Sequence, residues 1–193
     1  MRALLKSTFA SLICLISLLP ATLLAAPVPY KLDSAKSEVA FSYVFEGSET
    51  RGSFPDFDAS VALDFQRLEN SSIDVTLKTG TAKGGFIFAT QALRGPKMLN
   101  SPQFPDISFK SKRFTRSGDQ AKLVGDITVK GITRPLTLNA RLFRTANSNP
   151  DDLDNLVVKL TGEIDRTAFG VDGFKTFVGD ILKIAITANI TKL

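Results

Sequence analysis

The segment "LVGDITVKGITRPLTLNARL", Leu123 to Leu142, indicates the fold class most clearly. It holds two runs in which apolar and polar residues alternate, and side chains of a β-strand alternate between two faces in this way. One face carries Leu123, Gly125, Ile127 and Val129 in the first run and Leu136, Leu138, Ala140 and Leu142 in the second. Gly131 and Pro135 mark a tight connection between the runs. The segment therefore predicts an antiparallel hairpin with one buried face.

The same alternation continues along most of the chain. Further alternating segments are EVAFSYVF (38–45), FDASVALDF (57–65), SIDVTLK (72–78) and residues 107–111, 156–164 and 182–190. With "RGSFP" (51–55) as a short strand paired to the first, the count is about eight or nine strands, which predicts an all-β fold. Only Ala89 to Leu99 is typical of a short helix, with Gly95 and Pro96 breaking it.

A meander of this many strands either packs as a sandwich or closes into a barrel, and alternation alone does not decide between them. The inward faces are rich in phenylalanine: the chain has 15, of which only Phe9 precedes residue 26, and it has no tryptophan. A barrel of about eight strands is filled by such side chains or holds one small ligand. We therefore expect an antiparallel β-barrel with one short inserted helix.

The first 25 residues have the layout of a secretory signal peptide. Arg2 and Lys6 precede an apolar run, which Pro20 ends before small residues around Ala25. We expect cleavage after Ala25, which leaves one domain, residues 26–193. Cleavage also removes Cys14, the only cysteine, so the exported domain has no disulfide.

Composition excludes several classes of function. The chain has no histidine, which removes the commonest general base and the commonest metal ligand. The leader carries two of the 24 basic residues and no acidic residue, so the domain has 22 basic and 19 acidic residues, a charge of +3. This charge is too small to indicate nucleic-acid binding. No metal site and no cofactor is expected.

Three blocks of the sequence resemble segments of one protein family. They are "FPDISFKSKRF", "VGDITVKGITRPLTLNARL" and "EIDRTAFGVDGFKTFVGDILKIAITANI", and the first strand adds Asp33, Ser37, Val39, Phe41, Gly52 and Phe54. Over residues 28–192 the chain resembles the YceI-like family of exported bacterial proteins, which are polyisoprenoid-binding or lipid-binding. The resemblance implies a lipocalin-like barrel around an elongated apolar cavity, and a location in the periplasm. It also implies a long-chain amphiphile as ligand, chiefly a polyisoprenoid or an isoprenoid quinone.

The chain departs from the family at polar positions. Many members carry histidines where this chain has Lys36 and Phe45, and "ALRGPKMLNSPQFP" lacks the acidic residue and paired aromatics that relatives often have. Contacts that these polar residues make with a ligand headgroup in other family members therefore cannot be assigned to this chain. Tail binding needs only apolar walls and is less affected.

The candidate ligand-binding residues are large apolar side chains on the predicted inward faces and around the helix. For each residue the alternative is core filling, because aromatic residues dominate protein cores whatever the function. The candidates are Phe41, Tyr43, Phe45, Phe54, Phe57, Phe86, Phe88, Leu93, Met98, Phe109, Phe169, Phe174 and Ile184.

The stretch "TGEIDRTAFGVDGF", Thr161 to Phe174, could instead be a small active site. A paired acid and base can act in catalysis, but an ion pair between Asp165 and Arg166 equally needs no function. We interpret Arg166 as holding a bend that turns Phe169 inward before Gly170, a residue suited to positive φ. No catalytic residue is therefore predicted.

The sequence favours a periplasmic carrier or store of lipid over two alternatives. One is an enzyme that acts on the lipid through carboxylates or Tyr43, and the other is a ligand-free structural protein. The basic run Lys110, Lys112, Arg113 and Arg116 is interpreted as a solvated face, with a transient contact to an anionic membrane as a weaker expectation. The oligomeric state is open, a dimer being one option.

Overall fold

A computed structural model describes residues 26–144, 149 and 151–193. The predicted signal peptide, residues 1–25, lies outside the described residues, as does part of the polar loop after residue 144. Cleavage after Ala25 therefore stays a prediction.

The described chain forms ten antiparallel strands. Every neighbouring pair is antiparallel, as the hairpin pattern of the sequence predicts. The strands are β1 (Val28–Leu32), β2 (Glu38–Phe45), β3 (Ser48–Phe54), β4 (Phe57–Leu63), β5 (Ser72–Lys78), β6 (Asp106–Ser117), β7 (Gln120–Val129), β8 (Ile132–Arg144), β9 (Asn155–Asp165) and β10 (Ile181–Lys192).

The sheet closes on itself through β10. One edge of β10 pairs with β9, while its other edge pairs first with β2 and then with β1. Because β2 pairs with β3 and β1 pairs with β4, β1 and β2 share one position around the barrel, and β3 and β4 share the next. Ten strand segments thus fill eight positions, and the predicted lipocalin-like, eight-stranded barrel is confirmed.

The tight turns follow the local sequence closely. Lys130 and Gly131 connect β7 to β8 with φ of 50° and 76°, the two positive φ values of a type I′ hairpin. Glu46 and Gly47 connect β2 to β3 in the same way. Pro135 lies inside β8 opposite Asp126, not at the turn where the sequence had placed it.

Two elements differ from the sequence prediction. β1 was not predicted, because Pro27 and Pro29 are typical of loops and the strand is only five residues long. The helix α1 (Ile87–Arg94) begins two residues earlier than predicted and ends at Arg94, with Gly95 as its C-cap, before the predicted end at Leu99. No helix within the described residues is long and apolar enough to span a membrane.

Arg166 anchors one end of the barrel. Its side chain is buried, with only 3 % of the residue exposed, at the start of a 3₁₀ turn (Arg166–Phe169) that follows β9. Its five N–H groups donate to the Asp180 carboxylate and to four backbone carbonyls, those of Val171, Gly173, Val178 and Gly179. The donor–acceptor distances are 2.6 to 3.2 Å. One guanidinium therefore fixes the whole loop of residues 171–180.

Arg166 holds the bend as predicted, but its ion-pair partner is not Asp165. The ion pair joins Arg166 to Asp180 at 3.2 Å, whereas the Asp165 carboxylate caps the turn by accepting from the backbone N–H and the hydroxyl of Thr167. Phe169 is buried, and Gly170 has the expected positive φ of 65°. The charges of this stretch therefore build a turn.

Asp64 anchors the opposite end. Its buried carboxylate accepts from the backbone N–H groups of Gln66 and Arg67 and from Asn70 Nδ2, at 2.8 to 3.0 Å. The Asn70 bond, followed by the Arg67 backbone bond, lowers the pKa of Asp64 below its ordinary value. The carboxylate thus holds the short turn at Leu68–Asn70, which lies beside the cavity described below.

We predict that Arg166→Lys lowers the free energy of unfolding by more than about 3 kcal/mol. One ammonium group cannot replace five N–H donors in a planar array, so several buried carbonyls lose their hydrogen bonds. Urea unfolding measures the difference. Arg113→Lys, at an exposed site, is the matched control and should change stability by less than about 0.5 kcal/mol. Equal small effects of both substitutions would contradict the anchoring role of Arg166.

We predict that Asp64→Asn destabilises the protein at pH 7 but not at strongly acidic pH. The pKa of Asp64 is lower in the folded than in the unfolded chain. Its stabilising effect is therefore complete above the ordinary aspartate pKa and is lost as the pH falls through the lowered value. Urea unfolding of both proteins across pH 7 to about 2 tests this. A stability difference that stays constant over that range would contradict it.

Candidate functional site

The interior of the barrel is an apolar cavity of about 690 Å³. Side chains from all ten strands and from α1 line its wall. The volume lies within the range of about 300–1,000 Å³ that is usual for small-molecule sites. The barrel is therefore hollow, and its inward alternation forms the wall of one continuous space.

All thirteen candidate residues lie on the wall of this cavity. Six are buried: Phe41, Tyr43, Phe54, Met98, Phe109 and Phe169. Four are half-buried: Phe45, Phe57, Leu93 and Ile184. Three are exposed at its edge: Phe86, Phe88 and Phe174. The structure brings all thirteen residues to the wall of one cavity, while their contact with a ligand stays a prediction.

Inward-facing glycines make room for the aromatic wall. Gly52 lies directly opposite Phe41 in the β2–β3 pair, and a Cβ added to Gly52 would overlap the Phe41 ring. Gly125 lies opposite Ser111, two residues along β6 from Phe109, and a Cβ added to Gly125 would likewise overlap the Phe109 ring. Each ring therefore lies against a bare stretch of backbone instead of reaching across the barrel. This packing leaves the centre of the barrel open.

Tyr43 is held in place by its own hydroxyl group. The phenol donates a buried hydrogen bond of 2.7 Å to the carbonyl of Gly84, just before α1. Burial raises the pKa of Tyr43 above the ordinary value. The phenol is therefore neutral at physiological pH and its proton is engaged by the backbone. It positions the segment that leads into α1.

The carboxylates lie away from the middle of the cavity. Among the carboxylates of the described residues, only those of Glu46 and Asp119 belong to the lining, and Asp119 is exposed. Glu163 and Asp165 of the stretch considered as an active site are exposed and lie outside the lining, whereas Phe169 and Phe174 of that stretch belong to it. Within the described ranges, no group of three acidic, histidine or cysteine side chains could hold a metal ion.

One end of the cavity has an apolar border. We name its five exposed residues the apolar rim: Phe86, Ile87, Phe88, Phe174 and Phe177. The Phe86 ring packs edge-on against Phe45 at 5.4 Å between centroids, and Phe45 pairs with Val178. The Gly173 N–H donates to the Lys97 carbonyl, so the loop held by Arg166 is tied to the segment after α1. The rim is a connected feature, of which the sequence missed Ile87 and Phe177.

The other end has a polar border that sequence reasoning missed. Arg116, Asp119 and Arg141 are exposed and belong to the cavity lining. A bulge between Ser111 and Arg113 shifts the alternation of β6, so that Phe114 lines the cavity with Arg116 beyond it. Lys112 pairs with Asp126 and lies outside the lining. Only Arg116 of the predicted solvated basic run therefore borders the cavity.

We predict that Tyr43→Phe lowers the free energy of unfolding by about 1 kcal/mol, the usual loss for one hydrogen bond, and leaves the affinity for apolar ligands unchanged. The ring still fills the same wall position, and only the bond to the Gly84 carbonyl is lost. Thermal unfolding and a ligand titration on the same samples measure both quantities. A large loss of ligand affinity in a stable variant would show that the hydroxyl contacts the ligand.

Comparisons with known proteins agree with this geometry. The model of the YceI-like domain family matches residues 30–190. Protein YceI of Salmonella arizonae is 29 % identical over 132 residues, which cover 67 % of this chain and 69 % of that protein.

Solved structures share the fold. The crystal structure of BcnA from Burkholderia cenocepacia has a TM-score of 0.74 at 20 % identity and covers 82 % of this chain and 99 % of its own. A polyisoprenoid-binding domain from Saccharophagus degradans has a TM-score of 0.64 at 10 % identity and covers 86 % of this chain and 99 % of its own. The resemblance seen in the sequence is confirmed: the chain belongs to the YceI-like family.

Proposed function

We propose that this protein is a periplasmic binding protein that holds the apolar chain of a polyisoprenoid or isoprenoid quinone without altering it chemically. The observation that carries the proposal is the apolar cavity of about 690 Å³, whose wall includes side chains of every strand. The polyisoprenoid-binding domain of Saccharophagus degradans, which has the same fold, supports this choice of ligand class.

The energetics favour a long chain as ligand. Each carbon group removed from water contributes about 0.8 kcal/mol to the binding free energy. Summed over a chain of several tens of carbons, this contribution exceeds roughly 18 to 21 kcal/mol, the largest binding free energies observed for noncovalent complexes. The cost of ordering the flexible chain offsets much of this sum. Net binding still suffices to keep so insoluble a ligand out of water.

The polar groups near the cavity support binding over catalysis. The Tyr43 hydroxyl and all five N–H groups of Arg166 are engaged by the protein itself. Of the carboxylates in the lining, Asp119 is exposed at the polar end and Glu46 sits in the turn after β2. The hollow interior supports a ligand-binding role over that of a scaffold without ligand.

The location is part of the proposal and rests on the sequence. Residues 1–25 have the layout of a bacterial export signal, and residues 26–193 contain no cysteine. Fractionation of expressing cells would test the location directly, since a periplasmic protein is released by osmotic shock.

We predict that Ala140→Phe lowers the affinity for the ligand about tenfold or more, whereas Ala185→Phe does not. Ala140 lies on the cavity wall in β8, and Ala185 is exposed on the outer face of β10. A phenyl ring at position 140 displaces two or three carbon groups of the bound chain, at about 0.8 kcal/mol each, which weakens binding about tenfold or more. The probes are decaprenol and ubiquinone-10, quantified by mass spectrometry after gel filtration.

Circular dichroism of both variants checks that the barrel remains folded, because overpacking alone destabilises a core by about 1–3 kcal/mol. Recovery of the added ligand with its mass unchanged is expected if no chemistry occurs. Failure of the wild-type protein to retain either probe would contradict the proposal. Equal retention by the two folded variants would show that the ligand binds elsewhere.

A further inference from the structure

The apolar rim is an unusual surface for a protein in water. Ten large apolar side chains are exposed in the described part of the chain, and five of them form this rim at one end of the barrel. Ile87 and Phe88, in the first turn of α1, are 68 % and 75 % exposed. Contiguous exposed apolar patches mark sites of contact with proteins or membranes.

Buried hydrogen bonds hold the apolar rim in an exposed position. Phe174 has a φ of 58°, a left-handed conformation that is rare for a bulky side chain. The loop around it is fixed by Arg166, through bonds to the carbonyls of Gly173 and Val178 on either side. On the other side of the rim, the Tyr43 hydroxyl holds Gly84. Two buried polar anchors therefore keep the aromatic rings exposed.

The rim also surrounds an entrance to the cavity. Phe86, Phe88 and Phe174 are exposed and at the same time line the cavity wall. A surface apposed to the rim therefore covers the cavity mouth as well. A chain that moves between the cavity and that surface stays in an apolar environment only if the surface is itself apolar below its polar layer, as a bilayer is.

Charges of both signs lie beside the rim. Glu46, whose backbone N–H donates to the Phe177 carbonyl, and Asp172 are exposed, while two lysines can approach an anionic lipid surface. Lys97 is exposed and its carbonyl accepts from Gly173, next to Phe174. Lys175 is exposed and lies 4.0 Å from Asp172, a loose ion pair. Lysines beside exposed aromatic rings are the pattern of segments that lie in a membrane interface.

We infer that the apolar rim docks onto the surface of a lipid bilayer, with the cavity mouth facing the lipid. The inference rests on the proposed function, because it supplies the path by which an insoluble chain enters the cavity. The occupant of the rim is a lipid bilayer, and self-association through the rim is the alternative that the test distinguishes.

The test is flotation with vesicles that contain no isoprenoid, made of phosphatidylethanolamine with about one-quarter phosphatidylglycerol, an anionic mixture. Ile87→Asp is the test variant, since Ile87 is exposed, lies outside the cavity lining and begins α1, where an acidic residue is compatible with the helix. Leu193→Asp is the control: Leu193 is 73 % exposed and its backbone N–H bonds to Pro29 on β1, away from the rim.

We expect the wild-type protein and Leu193→Asp to float with the vesicles. The affinity of Ile87→Asp for the vesicles should be lower by about tenfold or more, because a charge replaces the apolar contact. Binding should also weaken without phosphatidylglycerol. Equal flotation of the two variants, or no flotation of the wild type, would overturn the inference. So would a dimer, seen by analytical ultracentrifugation, that only Ile87→Asp dissociates.

Retention of decaprenol by the same samples separates the two proposals. If the wild type retains decaprenol but does not bind vesicles, the docking inference fails and the binding function stands. If the wild type binds vesicles but retains no decaprenol or ubiquinone-10, the proposed function fails on its own.

Discussion

Closure of the sheet through β10 is the constraint on which the rest of the structure depends. β10 pairs with β9 along its whole length and with both β1 and β2 on its other edge. The ring closes through β1, which pairs with both β10 and β4, and the closed ring separates an inner face from an outer face. β3 pairs with β2 on one edge, and on its other edge Ser53 is bridged to Lys83. With eight positions around the ring, the size of the inner side chains decides whether the interior is solid. Gly52 and Gly125 accept the rings of Phe41 and Phe109 against the wall, and the interior stays hollow.

The two ends of the barrel are built by buried polar groups, each of which has its hydrogen-bonding capacity used by the protein. Arg166 holds the loop that carries Phe174 and Phe177, and Asp64 holds the turn at Leu68–Asn70. These two buried charges thus shape the two ends of the cavity. The result is an asymmetric cavity, with aromatic residues at one end and Arg116, Asp119 and Arg141 at the other.

Much of the fold and of the cavity wall could be predicted from sequence, because in a closed sheet the inward-facing residues of each strand are also the lining residues. Alternation therefore placed Phe41, Phe109 and Ile184 on one surface before any strand was paired. It missed β1, which is too short and too rich in proline to show a period. The alternation pattern missed Arg116, because the bulge in β6 shifts the inward-facing positions by one residue. The local sequence does not indicate this bulge. The hydrogen-bond partners of Arg166 could not be predicted from sequence, because four of them are backbone carbonyls, which every residue possesses.

The central claim is that the interior of the barrel is the binding site. A crystal structure of the protein loaded with decaprenol tests it most directly. We predict continuous electron density for the chain inside the barrel, in contact with Phe41 and Phe109, with the strand pairing unchanged. Density for the chain on the outer surface of the barrel, with the interior filled by water or collapsed, would contradict it.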